Sequence, residues 1–162
     1  MTTDVNALKA LARDETNDLI IDYLTTDGPA TPATLFSSLT NDYNIKHIDV
    51  LIVNAGNATF TPTLETSMQS IRDSFEINTF LTIALFQALH PLLVQSNEPK
   101  FIYISSAIGS IELLADQIGA LPVLAYGAAK AASAYFTRKV HFEFPGFVSL
   151  TLHPGYVRGD LW

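Results

Sequence analysis

The sequence DVLIVNAG, residues 49–56, decides the fold class of this chain. Its apolar run has no alternation with polar residues and stops at Asn-Ala-Gly. A second run, FIYI at 101–104, stops in the same way at two serines. Short apolar runs without alternation are typical of strands covered on both faces, as in parallel sheets. We therefore expect both runs to be strands buried on two faces.

Helical and strand patterns alternate outward from these two runs. Thr31 followed by Pro32 starts a helix, because threonine caps helix N-termini and proline suits the first helical position. Strands that alternate with helices predict an α/β fold, with a parallel sheet wrapped by helices, in a single domain over residues 1–162. The predicted elements are strands at 19–21, 49–53, 101–104 and 147–152, and helices at 31–44, 66–95 and 124–144.

The composition excludes several classes of partner. A net charge of −7 disfavours nucleic acids and anionic membranes, whose binding needs clustered Lys and Arg. There is no cysteine, and the four histidines lack ligand spacing, so we predict no metal site. The N-terminus does not resemble a targeting peptide, and polar residues interrupt the apolar segment 75–94. We predict a cytoplasmic location without a membrane span.

Small and polar residues follow the carboxyl ends of the predicted strands, which is where ligands collect in open α/β sheets. Taken singly, each of these ends is more often an ordinary turn than a site. The four ends in question are Asn54-Ala55-Gly56, Ser105-Ser106, Pro154-Gly155 and the Thr25-Thr26 region.

Tyr126 and Lys130 stand four residues apart in the last predicted helix and therefore lie on one helical face. A phenol ordinarily titrates near pH 10, and a nearby cation lowers its pKa, which would make Tyr126 a usable general acid or base. The alternative for such a pair is an exposed helical contact without chemistry.

Several motifs occur together in the order found in short-chain dehydrogenases/reductases, and the chain resembles that family over residues 19–161. It is most similar to fungal ketoreductases of the norsolorinic acid reductase kind and to their carbonyl-reductase relatives. The motifs are Asn54-Ala55-Gly56, Asn78, Ser105-Ser106-Ala107-Ile108-Gly109, Tyr126-x-x-x-Lys130 and Pro154-Gly155-x-Val157.

The resemblance implies catalytic roles for four residues. Tyr126 would protonate the substrate carbonyl oxygen as hydride arrives, and Ser106 would position that oxygen. Lys130 would hold the nicotinamide ribose and lower the pKa of the tyrosine, while Asn78 would anchor a water that relays protons to the lysine. Ser105 is the alternative hydroxyl, but the family's position, three before the glycine of Ser-Ser-x-x-Gly, favours Ser106.

The resemblance also implies a cofactor and a substrate class. The cofactor is NADP, with NAD as the alternative, and the substrate is a small ketone or aldehyde of fungal secondary metabolism, with loop 108–122 shaping its pocket. Besides Tyr126 and Lys130, the cofactor-binding residues are Asn54, Ala55 and Gly56 along the cofactor, and Pro154, Gly155 and Val157 beside the nicotinamide.

The sequence departs from the family's pattern at both ends. The glycine-rich Thr-Gly-x-x-x-Gly-x-Gly loop that receives the cofactor pyrophosphate has no counterpart among the eight glycines. We therefore expect a partial doubly wound sheet that lacks the first βαβ unit and the last elements, with strand 49–53 at a bare edge. The alternative function is an inactive remnant, or a binding module that forms homo-oligomers through helices 75–94 and 124–144.

Overall fold

The computed structural model describes residues 19–22, 24–25, 31–115 and 118–155, and it contains a parallel three-stranded sheet. The strands are β1 (Val50–Val53), β2 (Lys100–Ile104) and β3 (Val148–Leu152), in the spatial order β1-β2-β3. Val53 lies opposite Tyr103, which in turn lies opposite Thr151. The predicted α/β class and the three strands at 49–53, 101–104 and 147–152 are confirmed.

Helices connect the strands as the sequence predicts. They are α1 (Pro32–Asn41), α2 (Met68–Phe75), α3 (Leu81–Leu93) and α4 (Leu124–Glu143). A π-helical turn, Glu76–Phe80, joins α2 to α3, and a 3-10 turn, Ala107–Gly109, follows β2; a second one covers Leu113–Ala115.

The predicted start of α1 is confirmed, but its end is earlier than expected. Thr31 Oγ1 accepts a hydrogen bond from the Thr34 amide at 3.4 Å, and Pro32 is the first residue of the helix. The helix ends at Asn41 rather than near Asn44, which has a positive φ of 56°. A positive φ is incompatible with an α-helix of L-residues, so the helix must stop before that point.

The core lies between the sheet and helices α3 and α4. Phe101 and Tyr103 on β2 are fully buried in this core. Leu93, at the end of α3, is fully buried in the same core. Phe86 on α3 lies 4.9 Å from Phe101 between ring centroids, at the tilted angle that aromatic pairs favour. This packing holds β2 against the two helices.

The prediction that β1 is buried on both faces is wrong, and on β2 it holds only in part. Along β1, Val53 is 3% exposed whereas Ile52 is 57% exposed, because the described helices cover one face of the sheet alone. Burial on two faces requires a second layer, which a strand's own sequence cannot supply. The apolar residues on the opposite face are Val50, Ile52, Ile102, Ile104, Val148, Leu150 and Leu152.

The strand predicted at 19–21 is also wrong, since the described residues 19–22 form no strand. A strand requires a hydrogen-bonding neighbour, and within the described residues β1 pairs with β2 and with no strand on its other side. The predicted position of 49–53 at a sheet edge is confirmed for this part of the chain. Leu24 packs against the core without joining the sheet.

Candidate active site

The four predicted catalytic residues lie at or near the carboxyl ends of the strands. Ser106 follows β2 and caps the 3-10 turn, accepting a hydrogen bond from the Ile108 amide at 3.3 Å. Tyr126 and Lys130 occupy the first two turns of α4, and Asn78 lies in the π-helical turn that packs against α4. Residues from three separate segments of the chain are thus brought to one region.

Lys130 is a buried cation. Its side chain is 3% exposed, and Nζ donates a hydrogen bond to the Ile104 carbonyl at 2.8 Å. Nζ also lies 4.7 Å from the ring centroid of Tyr103 and 5.6 Å from that of Tyr126. Burial lowers the pKa of Lys130 to about 8, because desolvation penalises the ammonium more than the neutral amine.

The phenol of Tyr126 behaves differently from the sequence-based prediction. Burial raises the pKa of Tyr126, and a hydrogen bond with the Ser106 side chain offsets part of that rise. The expected lowering of the pKa by Lys130 is therefore wrong for the protein in this state, since desolvation of the phenolate is the dominant effect. The amino group of Lys130 instead donates to the Ile104 carbonyl. The contact of Ser106 with Tyr126 favours it over Ser105 as the working hydroxyl.

Asn78 is fully buried, and only one of the two polar atoms of its side-chain amide has a hydrogen-bond partner among the described residues. Its Nδ2 donates to the Asn57 carbonyl at 3.1 Å and to the Ser74 carbonyl at 2.9 Å, which fixes the orientation of the amide. Its Oδ1 has no hydrogen-bond partner among the described residues. A Cβ on Gly56 would stand 2.8 Å from this oxygen and 3.3 Å from Lys130 Nζ, so a larger residue at that position would require the Asn78 amide to shift.

The residues predicted to bind a cofactor form an exposed rim around this site. Asn54, Ala55 and Gly56 are exposed beyond the end of β1, and Pro154 and Gly155 are exposed beyond β3. Gly155 has a φ of +76°, a conformation that L side chains rarely adopt, and no atom lies within 4 Å of where its Cβ would stand. The space beside Gly155 is therefore open among the described residues. The remaining predicted residue, Val157, lies outside the described residues.

Sequence reasoning did not predict how Gly109, Tyr103 and Ser133 build the site. A Cβ on Gly109 would stand 2.9 Å from the Lys130 Cβ, so this glycine lets the 3-10 turn pack directly on α4. The sequence shows Tyr103 only as part of an apolar strand, and Ser133 belongs to none of the motifs. The available signal for Ser133 was its position three residues after Lys130, which places both on one face of the helix.

Other features of the described residues lie away from this site. Within these ranges, no helix is both long and apolar enough to cross a bilayer, and no group of three acidic or histidine residues could hold a metal ion. A depression of about 330 Å³ lies between α3 and α4. Its lining residues are Phe86, Gln87, Phe136, Lys139, Val140, Glu143 and Phe144.

Curated proteins similar to this chain are fungal reductases. The chain is 32% identical over 161 residues to the norsolorinic acid ketoreductase of Emericella nidulans. The aligned region covers 99% of this chain and 61% of that protein. It is 34% identical over 158 residues to the norsolorinic acid ketoreductase of Dothistroma septosporum, covering 96% of this chain and 59% of that protein. The chain spans about three fifths of the length of these curated relatives.

Solved structures with the same fold include reductases and dehydrogenases. The NADPH-bound carbonyl reductase from chicken fatty liver matches with a TM-score of 0.78 and 26% identity, over 85% of this chain and 58% of that one. A short-chain dehydrogenase from Streptomyces avermitilis matches with a TM-score of 0.69 and 27% identity, over 85% of this chain and 48% of that one. The Rossmann-like fold is thereby confirmed.

The family profile described as short chain dehydrogenase matches residues 5–162, which is nearly the whole chain. This match, the fungal ketoreductase relatives and the arrangement of Ser106, Tyr126 and Lys130 agree with one another. The chain belongs to the short-chain dehydrogenase/reductase family of oxidoreductases.

Proposed function

We propose that this chain acts as an NADP(H)-dependent ketoreductase, reducing a small ketone or aldehyde to an alcohol. The observation that carries the proposal is the meeting of Ser106, Tyr126 and Lys130 beside the open ends of the strands. A phenol, a hydroxyl bonded to it and a cation nearby can together donate a proton to a carbonyl oxygen and stabilise the charge that develops there.

The proton chemistry follows from the environment of each group. Tyr126 is protonated at neutral pH, because a phenol ordinarily titrates near pH 10 and burial raises the pKa of Tyr126 further, so it can act as the acid in a reduction. The Ser106 side chain acts on the pKa of that phenol, so its hydroxyl is near enough to orient the same carbonyl oxygen. Lys130, with a pKa near 8, is mostly charged at neutral pH, and its ammonium would hold the nicotinamide ribose. A bound nicotinamide would supply the hydride.

The cofactor and substrate assignments are proposals of the same kind. NADP is favoured because similar structures carry it, with NAD as the alternative. Asn54, Ala55 and Gly56 would lie along the cofactor, and Pro154, Gly155 and Val157 would border its nicotinamide. The names of the fungal relatives support a substrate from secondary metabolism. Asn78 would complete the catalytic set beside Lys130.

We further propose a cytoplasmic location and a homo-oligomer formed through helices 75–94 and 124–144. Exposed aromatic side chains on the outer surface of these helices support the second proposal, since such residues are enriched at interfaces. Phe80 is 50% exposed, Tyr135 is 71% exposed and Phe142 is 64% exposed.

Cofactor titration tests the proposed enzyme against a non-catalytic binding module. The full chain is titrated with NADPH while protein emission and nicotinamide fluorescence are recorded. Saturable quenching at micromolar NADPH supports the enzyme. No change in either fluorescence signal up to millimolar NADPH would contradict the proposed enzyme and favour a module that binds through its exposed helices.

Replacement of Tyr126 by phenylalanine tests the assigned acid. Tyr126→Phe is expected to lower kcat for a model ketone by about a hundredfold or more, because a general acid contributes about that much, while NADPH affinity changes little. Tyr135→Phe is the matched control, since Tyr135 is an exposed tyrosine on the same helix. Retained turnover in Tyr126→Phe refutes the assignment.

A further inference from the structure

The backbone carbonyl of Asn78 accepts hydrogen bonds from three side-chain hydroxyls on three different elements. Ser133 Oγ on α4 donates to it at 2.6 Å, Tyr103 Oη on β2 at 3.1 Å, and Thr82 Oγ1 on α3 at 3.1 Å. The side chains of all four residues are 0% exposed. A carbonyl oxygen has two lone pairs, so these donors saturate it in a setting that water does not reach.

The carbonyl belongs to the π-helical turn, which needs external support. In this turn the Leu81 amide bonds to the Glu76 carbonyl, five residues earlier. Such turns are rare and are frequently found at functional sites. Thr79 Oγ1 adds a further link by donating to the Ala129 carbonyl on α4 at 2.9 Å. Hydroxyl contacts from β2 and α4 therefore set where the turn sits.

Tyr103 contacts both Asn78 and Lys130. Its hydroxyl donates to Asn78, and the face of its ring lies 4.7 Å from Lys130 Nζ, within the range of a cation–π contact. Burial raises the pKa of Tyr103, so its hydroxyl remains a donor across the working pH range. One side chain thus links the buried amide to the buried ammonium.

We propose that Tyr103 and Ser133 are positioning residues, whose hydroxyls hold the π-helical turn so that the Asn78 amide stays beside Lys130. The inference rests on the proposed ketoreductase function, because it assigns both residues to that site. Asn78 Oδ1 and Lys130 Nζ border the same space at Gly56, at 2.8 Å and 3.3 Å from the point where a Cβ would stand. A shift of the turn changes the separation of the two groups directly.

The variants Tyr103→Phe and Ser133→Ala each remove one of these donors. Each is expected to lower kcat about fivefold, the effect of losing one hydrogen bond, and to shift the pH profile of kcat while KM for the ketone stays constant. Thr137→Val is the control, since Thr137 is a buried hydroxyl on the same helix that donates to the Ser133 carbonyl at 2.9 Å and not to Asn78. It should lose stability but keep the wild-type pH profile.

Two readouts do not depend on turnover. Hydrogen exchange at the amides of residues 79–81 is expected to accelerate in Tyr103→Phe and Ser133→Ala but not in Thr137→Val. In protein with 13C-labelled lysine, Tyr103→Leu should lower the midpoint of the Lys130 titration by roughly half a pH unit, because it removes the ring that stabilises the ammonium. Tyr103→Phe, which keeps the ring, should leave that midpoint unchanged.

These readouts separate the inference from the function it rests on. Exchange at 79–81 that matches the control in both variants overturns the positioning role, even if the wild-type chain is an active reductase. Faster exchange and a shifted Lys130 titration support the role even if the wild-type chain turns over no ketone. In that second case only the proposed function fails.

Discussion

At neutral pH, Lys130 holds a positive charge in surroundings that leave its side chain 3% exposed. The Ile104 carbonyl and the Tyr103 ring compensate part of the desolvation, but burial still lowers the pKa of Lys130 to about 8. An ordinary structural lysine keeps its ammonium in water. Retention of a buried, perturbed lysine next to a phenol is the pattern expected of a functional site.

The lowered pKa predicts how stability depends on pH. Between pH 8 and 10.5 the folded chain has lost the Lys130 proton that the unfolded chain still holds, so the unfolding free energy should rise with pH across this window. Relative to Lys130→Met, the wild type is expected to gain about 3 kcal/mol between pH 7 and pH 10.5. Guanidinium unfolding of both proteins at several pH values measures this. A difference that does not change with pH would contradict the buried charge.

The residue pair Tyr126 and Lys130 could be found from sequence because helical spacing is a local property. The direction of the Tyr126 pKa shift could not, because it depends on how closely the fold encloses the phenol. Likewise, Ser106 followed from the family resemblance, by its place three residues before Gly109, but the role of Ser133 depends on a carbonyl 55 residues earlier in the chain. Chemistry carried by spacing is predictable, whereas chemistry carried by burial and distant contacts is not.

At the scale of elements, boundaries set by local chemistry were predicted and those set by tertiary contacts were not. The Thr31 cap fixes the start of α1 in the sequence and in the structure. The π-helical turn interrupts a helix that reads as continuous over residues 66–95, because the hydroxyls that hold it come from β2 and α4. The prediction that β1 is buried on both faces was wrong for a related reason, since other elements determine whether a sheet face is covered.

The contact between the 3-10 turn and α4 gives a prediction at this scale. Gly109→Ala would place a Cβ 3.0 Å from the Ala131 amide nitrogen on the α4 backbone, which cannot move aside as a flexible side chain would. We expect a loss of about 1–3 kcal/mol in unfolding free energy, together with weakened turnover. Both follow because the turn carries Ser106 and packs on the segment that holds Lys130.

Gly146→Ala is the control for that substitution. No atom lies within 4 Å of its Cβ position, so alanine should be neutral or stabilise the chain by up to about 1 kcal/mol, through a less flexible unfolded state. Thermal unfolding of the two variants beside the wild type decides the matter. Equal stability for Gly109→Ala and Gly146→Ala would mean that the 3-10 turn is free to move away from α4.

For the whole molecule, the asymmetry of the sheet is the feature with the broadest consequence. The described helices cover the face that carries Phe101 and Tyr103, and the opposite face presents apolar residues on all three strands. Apolar surface that stays in water contributes nothing to folding, so within the described part of the chain the covered face contributes most of the sheet's share of the stability. The exposed apolar face is also a surface through which proteins tend to associate with other molecules.

A matched pair of substitutions on β1 tests this asymmetry. Val53→Thr puts a hydroxyl into the covered face at a residue that is 3% exposed, and it should cost about 1–3 kcal/mol of unfolding free energy. Ile52→Thr makes a comparable change one residue earlier, at 57% exposure, and should cost less than about 0.5 kcal/mol while reducing the binding of a hydrophobic dye. Urea unfolding and dye fluorescence of the full chain supply both measurements. If Ile52→Thr destabilises the chain as much as Val53→Thr, this face is covered in solution, and the covering layer then contributes to the same fold that positions Tyr126 and Lys130.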